Sequence, residues 1–158
     1  MADDALRQDI AAAKSKMRVK IGAGREIKRL AGYLWEGEAV EQMTTGTYGK
    51  GTGLVVLTDR RLLFVQDGMM SKTTEDFPID KVSSVQWTSG LVMGEIIIFA
   101  SGNKSDIKNV NKDDGKEIGL SVGIRGWISC DRLVREAEVD RAAGEVDEPR
   151  GAQGSTER

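Results

Sequence analysis

The sequence contains no histidine. That absence removes the commonest general base near neutral pH and the commonest neutral metal ligand, so catalytic and zinc-site readings lose their usual centre. Cys130 is the only cysteine, which rules out an intramolecular disulfide and any Cys-x-x-Cys pair and fits a reduced compartment. Prolines number 2 against 19 glycines, and aromatics make up 5% of the 158 residues, a balance that predicts many tight turns. No apolar run approaches the ~18 residues needed to span a bilayer. The longest are Leu54 to Leu57 and Ile96 to Ala100. Lys and Arg total 23 against 25 Asp and Glu, so no uniform field draws nucleic acid or anionic membrane to the whole surface. Nucleic acid is therefore not expected as a partner, and an anionic membrane would need a local basic patch. The first nine residues lack the basic leader and apolar core of a signal peptide. The expected location is cytoplasmic, or peripheral at the inner membrane face.

Periodicity divides the chain. Leu6, Ile10, Ala13 and Met17, then Ile27, Leu30 and Leu34, recur at helical spacing and predict two helices within residues 3–34, broken near Val19 to Gly24 by Gly22 and Gly24. From residue 39 short β-type runs take over: 39–48, 52–58, 61–66, 73–79, 82–88, 95–101 and 105–110. Tyr48-Gly49-Lys50-Gly51, Thr58-Asp59-Arg60, Asp67-Gly68, Ser89-Gly90 and Ser101-Gly102-Asn103-Lys104 separate them with turn residues, so successive strands are expected to be antiparallel neighbours. Leu54, Val56, Leu63, Val65, Val85 and Ile97 are the expected core. The unbroken apolar runs Leu54–Leu57 and Ile96–Phe99 predict strands covered on both faces, with the segment after Asn111 as the expected cover. Ile118, Leu120, Val122 and Ile124 alternate with period two, which reads as a strand. Asn111 or Asp113 followed by acids reads instead as a helix start, and Arg125 to Ala143 is helical in pattern.

The series Leu34-Trp35-Glu36-Gly37-Glu38, then Gly53 to Val65 with its Leu57-Thr58-Asp59-Arg60-Arg61-Leu62-Leu63-Phe64-Val65 core, then Phe77-Pro78-Ile79-Asp80-Lys81-Val82 resembles bacterial pleckstrin-homology-like (PH-like) domains of the YokE-like type over residues 25–130. The resemblance implies an α+β fold, a seven-stranded antiparallel partly open barrel with a C-terminal capping helix from Asn111 to about Cys130. It decides the 116–124 segment in favour of helix. The domain scheme is an N-terminal helical extension at 1–34, the PH-like domain at 35–130, a helix extension at 131–143 and a disordered tail at 144–158. Such domains serve as lipid-binding, peptide-binding and self-assembling modules, so fold alone does not fix function.

Gly22-Ala23-Gly24 lacks the third glycine and the βαβ context of a dinucleotide fingerprint, and Gly49-Lys50 lacks the first glycine and the Ser or Thr of a phosphate loop. Asp59, Asp67 and Asp80 fall in turns, where carboxylates bond the backbone. Without histidine to activate it, and with Asp131 adjacent, Cys130 reads as a small buried apolar residue. Lys14, Lys16, Arg18, Lys20, Arg25, Lys28 and Arg29 face one acid, Glu26, in the stretch 14–29, enough local charge for an anionic partner or for pairing with an acidic helix. Met69 and Met70 with Lys72 occupy a loop suited to an adaptable contact, and Lys50 occupies the first hairpin turn, near the headgroup pocket of lipid-binding relatives. The candidate binding residues are therefore Lys50, Met69, Met70, Lys72, Lys14, Arg18, Arg25, Lys28 and Arg29. No catalytic residue, metal or cofactor is implied. The functional expectation is a non-enzymatic module that joins a protein partner or a second copy of itself through the N-terminal helices or a sheet edge. Its alternative is peripheral binding to anionic lipid. The N-terminal apolar stripe, lacking an obligatory place inside a closed barrel, is expected on the barrel's outer face or on another subunit, so that a chain without residues 1–22 would still fold.

Overall fold

The computed structural model describes residues 5–20 and 22–126. Cys130, the helix extension at 131–143 and the tail at 144–158 lie outside the described residues. Two short helices, α1 (Gln8–Lys16) and α2 (Gly24–Arg29), open the chain, and a 3-10 turn over Leu30–Tyr33 follows α2. Seven strands come next: β1 (Val40–Tyr48), β2 (Gly51–Thr58), β3 (Arg61–Asp67), β4 (Lys72–Pro78), β5 (Val82–Ser89), β6 (Met93–Ala100) and β7 (Asn103–Asn111). A final helix, α3, occupies residues 112–126. The break between α1 and α2 falls at Gly22, whose φ of +91° is one that a side chain would oppose.

The strands form one antiparallel sheet in the order β4-β3-β2-β1-β7-β6-β5, rolled so that among the described residues β4 and β5 are its two free edges. Turn chemistry explains the meander. Thr58 Oγ1 accepts from the Arg60 and Arg61 amides at 3.1 and 3.0 Å, which closes the β2–β3 turn. Asp59 exchanges bonds with Ala39, tying that turn to the start of β1. Helix α3 begins where Asn111 Oδ1 accepts the amides of Asp113 and Asp114, the N-cap that the sequence offered.

Two apolar clusters hold the fold. Inside the roll, Val55, Leu57, Leu62 and Phe64 meet Phe77, Val82, Ile96, Ile98, Ile107 and Val110, and α3 closes the space with Ile118 and Val122. On the outer face, Leu54, Val56, Leu63 and Val65 with Val40 and Met43 are covered by Ile10, Ala13 and Met17 of the α1 region and by Ala23, Ile27 and Leu30 around α2. The prediction that β2 is covered on both faces therefore holds, but the second cover is the N-terminal helices, and α3 serves the interior. The apolar stripe takes the barrel's outer face. There it completes a second core with β1, β2 and β3, a burial that weighs against the expectation that a chain without residues 1–22 would fold. For β6 the two-sided expectation fails. Ile96 and Ile98 point inward, whereas Ile97 and Phe99 are half-buried on a face that no other described element covers. Val85 is likewise only half-buried, at the margin of the inner cluster.

Candidate functional site

The two free edges differ in chemistry. β4 carries Lys72, Glu75, Asp76 and Pro78, charges and a proline of the kind that discourage a further strand from joining. β5 reads Val-Ser-Ser-Val-Gln-Trp-Thr-Ser, with no charged residue and no proline over eight positions. Beside this edge runs a groove of about 560 Å³, walled by Val85 and Trp87 of β5 and by Lys116, Gly119, Leu120, Gly123 and Ile124 of α3. Glycines shape its floor. A Cβ at Gly94 or Gly115 would stand 2.3 or 2.4 Å from the Trp87 ring, so the indole lies in a slot that only glycine leaves open on both sides. Gly123 has open space where a side chain would be, and Leu120 and Ile124 are exposed. Past the end of β5 the hairpin tip presents Leu91, 97% exposed, with Val92 and Met93. At the other end of the groove, Gly126 of α3 abuts Val82.

Helix α3 is held against the sheet by polar contacts with the N-terminal layer. Arg18 donates to Asp114 at 2.7 Å and to Glu117 at 3.4 Å, and Thr44 Oγ1 donates to the same Asp114. Arg125, in the last turn described, donates to the Thr58 carbonyl at 3.1 Å and pairs with Glu41. Arg18 thus serves as an internal clasp, and its guanidinium is held charged by Asp114 first, against the opposing effect of desolvation.

The other sequence-proposed residues gather differently. The β1–β2, β3–β4 and β6–β7 turns share one end of the roll, because β7 runs antiparallel to β1 with Tyr48 opposite Ile107. Met69 and Met70 sit there, 89% and 99% exposed, with Lys72 following and Lys50 in the neighbouring turn. Arg29 joins this end by its 2.9 Å bond to the buried Asp67. Lys14, Arg25 and Lys28 are exposed and make no ion pair among the described residues.

Buried charge is concentrated where the N-terminal layer meets the sheet, away from the groove. Arg61 binds Glu38 through two donors, at 2.9 and 3.1 Å, and stacks 4.0 Å over the Trp35 ring. Burial alone would raise the Glu38 carboxyl, but Arg61 and the Trp35 amide hold it below the ordinary range. Asp67 accepts from the Tyr33 hydroxyl at 2.8 Å, and this bond, with Arg29 and Lys72, depresses its carboxyl. Asp9 is pulled down to about 2, chiefly by Arg7 and also by the Val40 amide. These groups staple α1 and α2 to β1 and β3. Among the described residues no three His, Cys, Asp or Glu side chains converge as a metal site, and no helix is long and apolar enough to cross a membrane.

The sequence reasoning did not single out Trp87, Leu120 or Ile124. The signal was present in the period-two alternation of Ile118, Leu120, Val122 and Ile124. On a helix that alternation makes two stripes of spacing i, i+4 on opposite sides: Ile118 and Val122 buried, Leu120 and Ile124 exposed.

None of the curated proteins matches the chain. Solved structures similar to it include the Vps36 N-terminal PH domain, 19% identical, covering 59% of this chain and 82% of that one at a TM-score of 0.45. Another is a DUF1696 family protein with a pleckstrin-homology domain from Shewanella loihica, 13% identical, covering 65% of this chain and 92% of that one at a TM-score of 0.42. The family description "Bacterial PH domain" matches residues 34–119, from the 3-10 turn before β1 to the middle of α3. With seven antiparallel strands closed by a C-terminal helix, the chain belongs to the bacterial PH domain family.

Proposed function

We propose that this PH domain is a non-enzymatic binding module that takes up an extended polypeptide along β5, with side chains seated in the groove between β5 and α3. The observation that carries the reading is the uncharged free edge of β5 lying directly beside apolar walls. An added strand satisfies main-chain donors and acceptors, and alternate side chains find the pocket formed by Val85, Trp87, Leu120 and Ile124. Lys116, the only charged residue among the described residues of the groove, favours an acidic residue at one end of the bound segment. Panning a displayed library of ~12-residue peptides against the full chain tests this. Enriched peptides should alternate apolar residues and bind Leu120→Glu and Ile124→Glu variants at least ~10-fold more weakly. Enriched peptides that bind these variants as well as the parent chain would refute the site. The Leu57–Val65 and Phe77–Val82 segments support placing the domain in the YokE-like branch, and Cys130 as the single cysteine of the sequence supports a reduced, cytoplasmic setting.

A second reading rests on Met69 and Met70, whose near-complete exposure at an end that also carries Lys50 and Lys72 suits shallow insertion into an anionic membrane. Lys14, Arg25 and Lys28 are further candidates for headgroup contact, while Arg18 and Arg29 are engaged by internal acids. Cosedimentation with phosphatidylserine vesicles that falls with salt and is lost in a Met69→Ser, Met70→Ser double variant would support it. Binding indifferent to both changes would exclude this loop.

A further inference from the structure

Resting on the reading of β5 as the docking strand, we infer that its occupant is the β5 of a second copy, joined across a two-fold axis normal to the sheet, with Gln86 on the axis. Two copies of this edge meet without like-charge repulsion, since β5 carries no charge, whereas two β4 edges would bring Lys72, Glu75 and Asp76 into opposition. Symmetry and side-chain pattern together fix the register. A two-fold axis normal to the sheet keeps both grooves on one face and places one residue opposite its own counterpart. Val85 and Trp87 face the groove, while Gln86 between them is exposed. Centring on Gln86 sets Trp87 of each copy across from the partner's Val85, so the apolar pair forms twice. Centring on Val85 would instead set Trp87 against the partner's Ser83, and centring on Trp87 would set Val85 against the partner's Ser89, so each of these registers leaves one of the two side chains without an apolar mate. The Gln86 register also employs the apolar hairpin tip. Leu91, two residues past Ser89, overhangs the start of the partner's β5, the end of the groove at which α3 abuts Val82. Each groove is incomplete without the tip of the other copy. The bare groove and the bare tip thus become two halves of one isologous interface.

Sedimentation equilibrium on the full chain tests the pairing with the exposed Gln86 as the lever. The parent chain should associate to a dimer. Gln86→Lys and Gln86→Glu, each placing like charges face to face on the axis, should weaken association ~10-fold or more while leaving the thermal melt of the monomer unchanged. An equimolar mixture of the two should recover the dimer, because opposite charges then meet at the axis. A parent chain that stays monomeric, a dimer untouched by both substitutions, or a mixture that remains monomeric would overturn the inference. The library-selected peptides separate this from the wider reading. If they bind the groove of a chain that never dimerises, the docking strand stands and only its occupant is wrong; if neither association nor peptide binding responds to Leu120→Glu, both fail.

Discussion

Replacing Ile10 by alanine tests whether the N-terminal layer is part of one cooperative unit with the barrel. Ile10 is 1% exposed and belongs to the outer cluster that also holds Met43, Leu54, Val56, Leu63 and Val65. Removing a buried isoleucine to alanine costs ~2 to 5 kcal/mol, set by how far the surroundings collapse into the gap. The upper half of that range applies here. These residues lie on three strands, β1, β2 and β3, tied by the β1–β2 and β2–β3 ladders, and cannot move inward without disturbing register. Helix α1 has nine residues and no side-chain N-cap bond, so it has little stability of its own and depends on this contact. The assay is urea unfolding followed by tryptophan fluorescence and by far-ultraviolet circular dichroism. A loss of ~4 kcal/mol against a urea slope of ~2 kcal/mol per molar moves the midpoint down by ~2 M with the slope preserved. A midpoint shift below ~0.3 M at constant slope would refute the reasoning, because it would mean that the outer cluster contributes nothing to the cooperative transition. A reduced slope with a small shift would place α1 outside the unit that unfolds, with the same consequence.

Two glycines of α3 should respond oppositely to alanine. At Gly115 the new methyl would meet the Trp87 ring at 2.4 Å and Val110 at 2.8 Å, with Gly94 crowding the ring from elsewhere, so a loss of ~1 to 3 kcal/mol and a changed tryptophan emission are expected. At Gly119 the nearest atom would stand at 3.7 Å, and the same change should be neutral or gain ~0.4 to 1 kcal/mol in a thermal melt. Equal effects at both positions would show that the indole is not seated as described. The Asp9 carboxyl, held at about 2 against an ordinary 3.8, contributes stability above pH 4 that is lost as pH falls toward 2, because protonation breaks the bonds from Arg7 and the Val40 amide. Asp9→Asn should therefore lower stability at pH 5 by no more than ~2 kcal/mol and converge with the parent chain near pH 2, and a constant difference across that range would contradict the assignment.

Much of the fold was legible because the chain states it locally. Thr58-Asp59-Arg60 is a turn whose bonds are made by the side chains that predicted it, and Asn111 caps the helix it was expected to cap. The unbroken run Leu54–Leu57 announced a strand without a wet face. What it could not announce was which segment supplies the second cover, since Ile10 and Ile118 carry equivalent apolar stripes and only the three-dimensional path assigns one to each face. The run Ile96–Phe99 misled for a related reason. Ile97 and Phe99 alternate with Ile96 and Ile98 on a strand whose outer face has no cover among the described residues, so hydrophobicity alone did not distinguish inside from outside. The groove escaped notice because it belongs to two elements, and neither Trp87 nor the Leu120–Ile124 pair has meaning until α3 lies along β5. The basic stretch 14–29 was visible as charge, but that Arg18 and Arg29 are consumed by Asp114 and Asp67 depends on pairings more than thirty residues apart.

The division into two clusters also has a consequence for the order of events during synthesis. Every member of the outer cluster lies between Leu6 and Val65, whereas the inner cluster needs Ile118 and Val122 to close. A ribosome adding 5–20 residues per second delivers the interval from Val65 to Val122 in ~3 to 11 s. Throughout that time the first three strands can already be backed by α1 and α2, while Val55, Leu57, Leu62 and Phe64 on their other face await a lid that has not been made. The nascent chain is therefore half-finished in a particular sense, sealed on the side that carries the N terminus and open on the side that will become the interior. It is this open face, and not the finished surface, that a chaperone at the exit tunnel would meet.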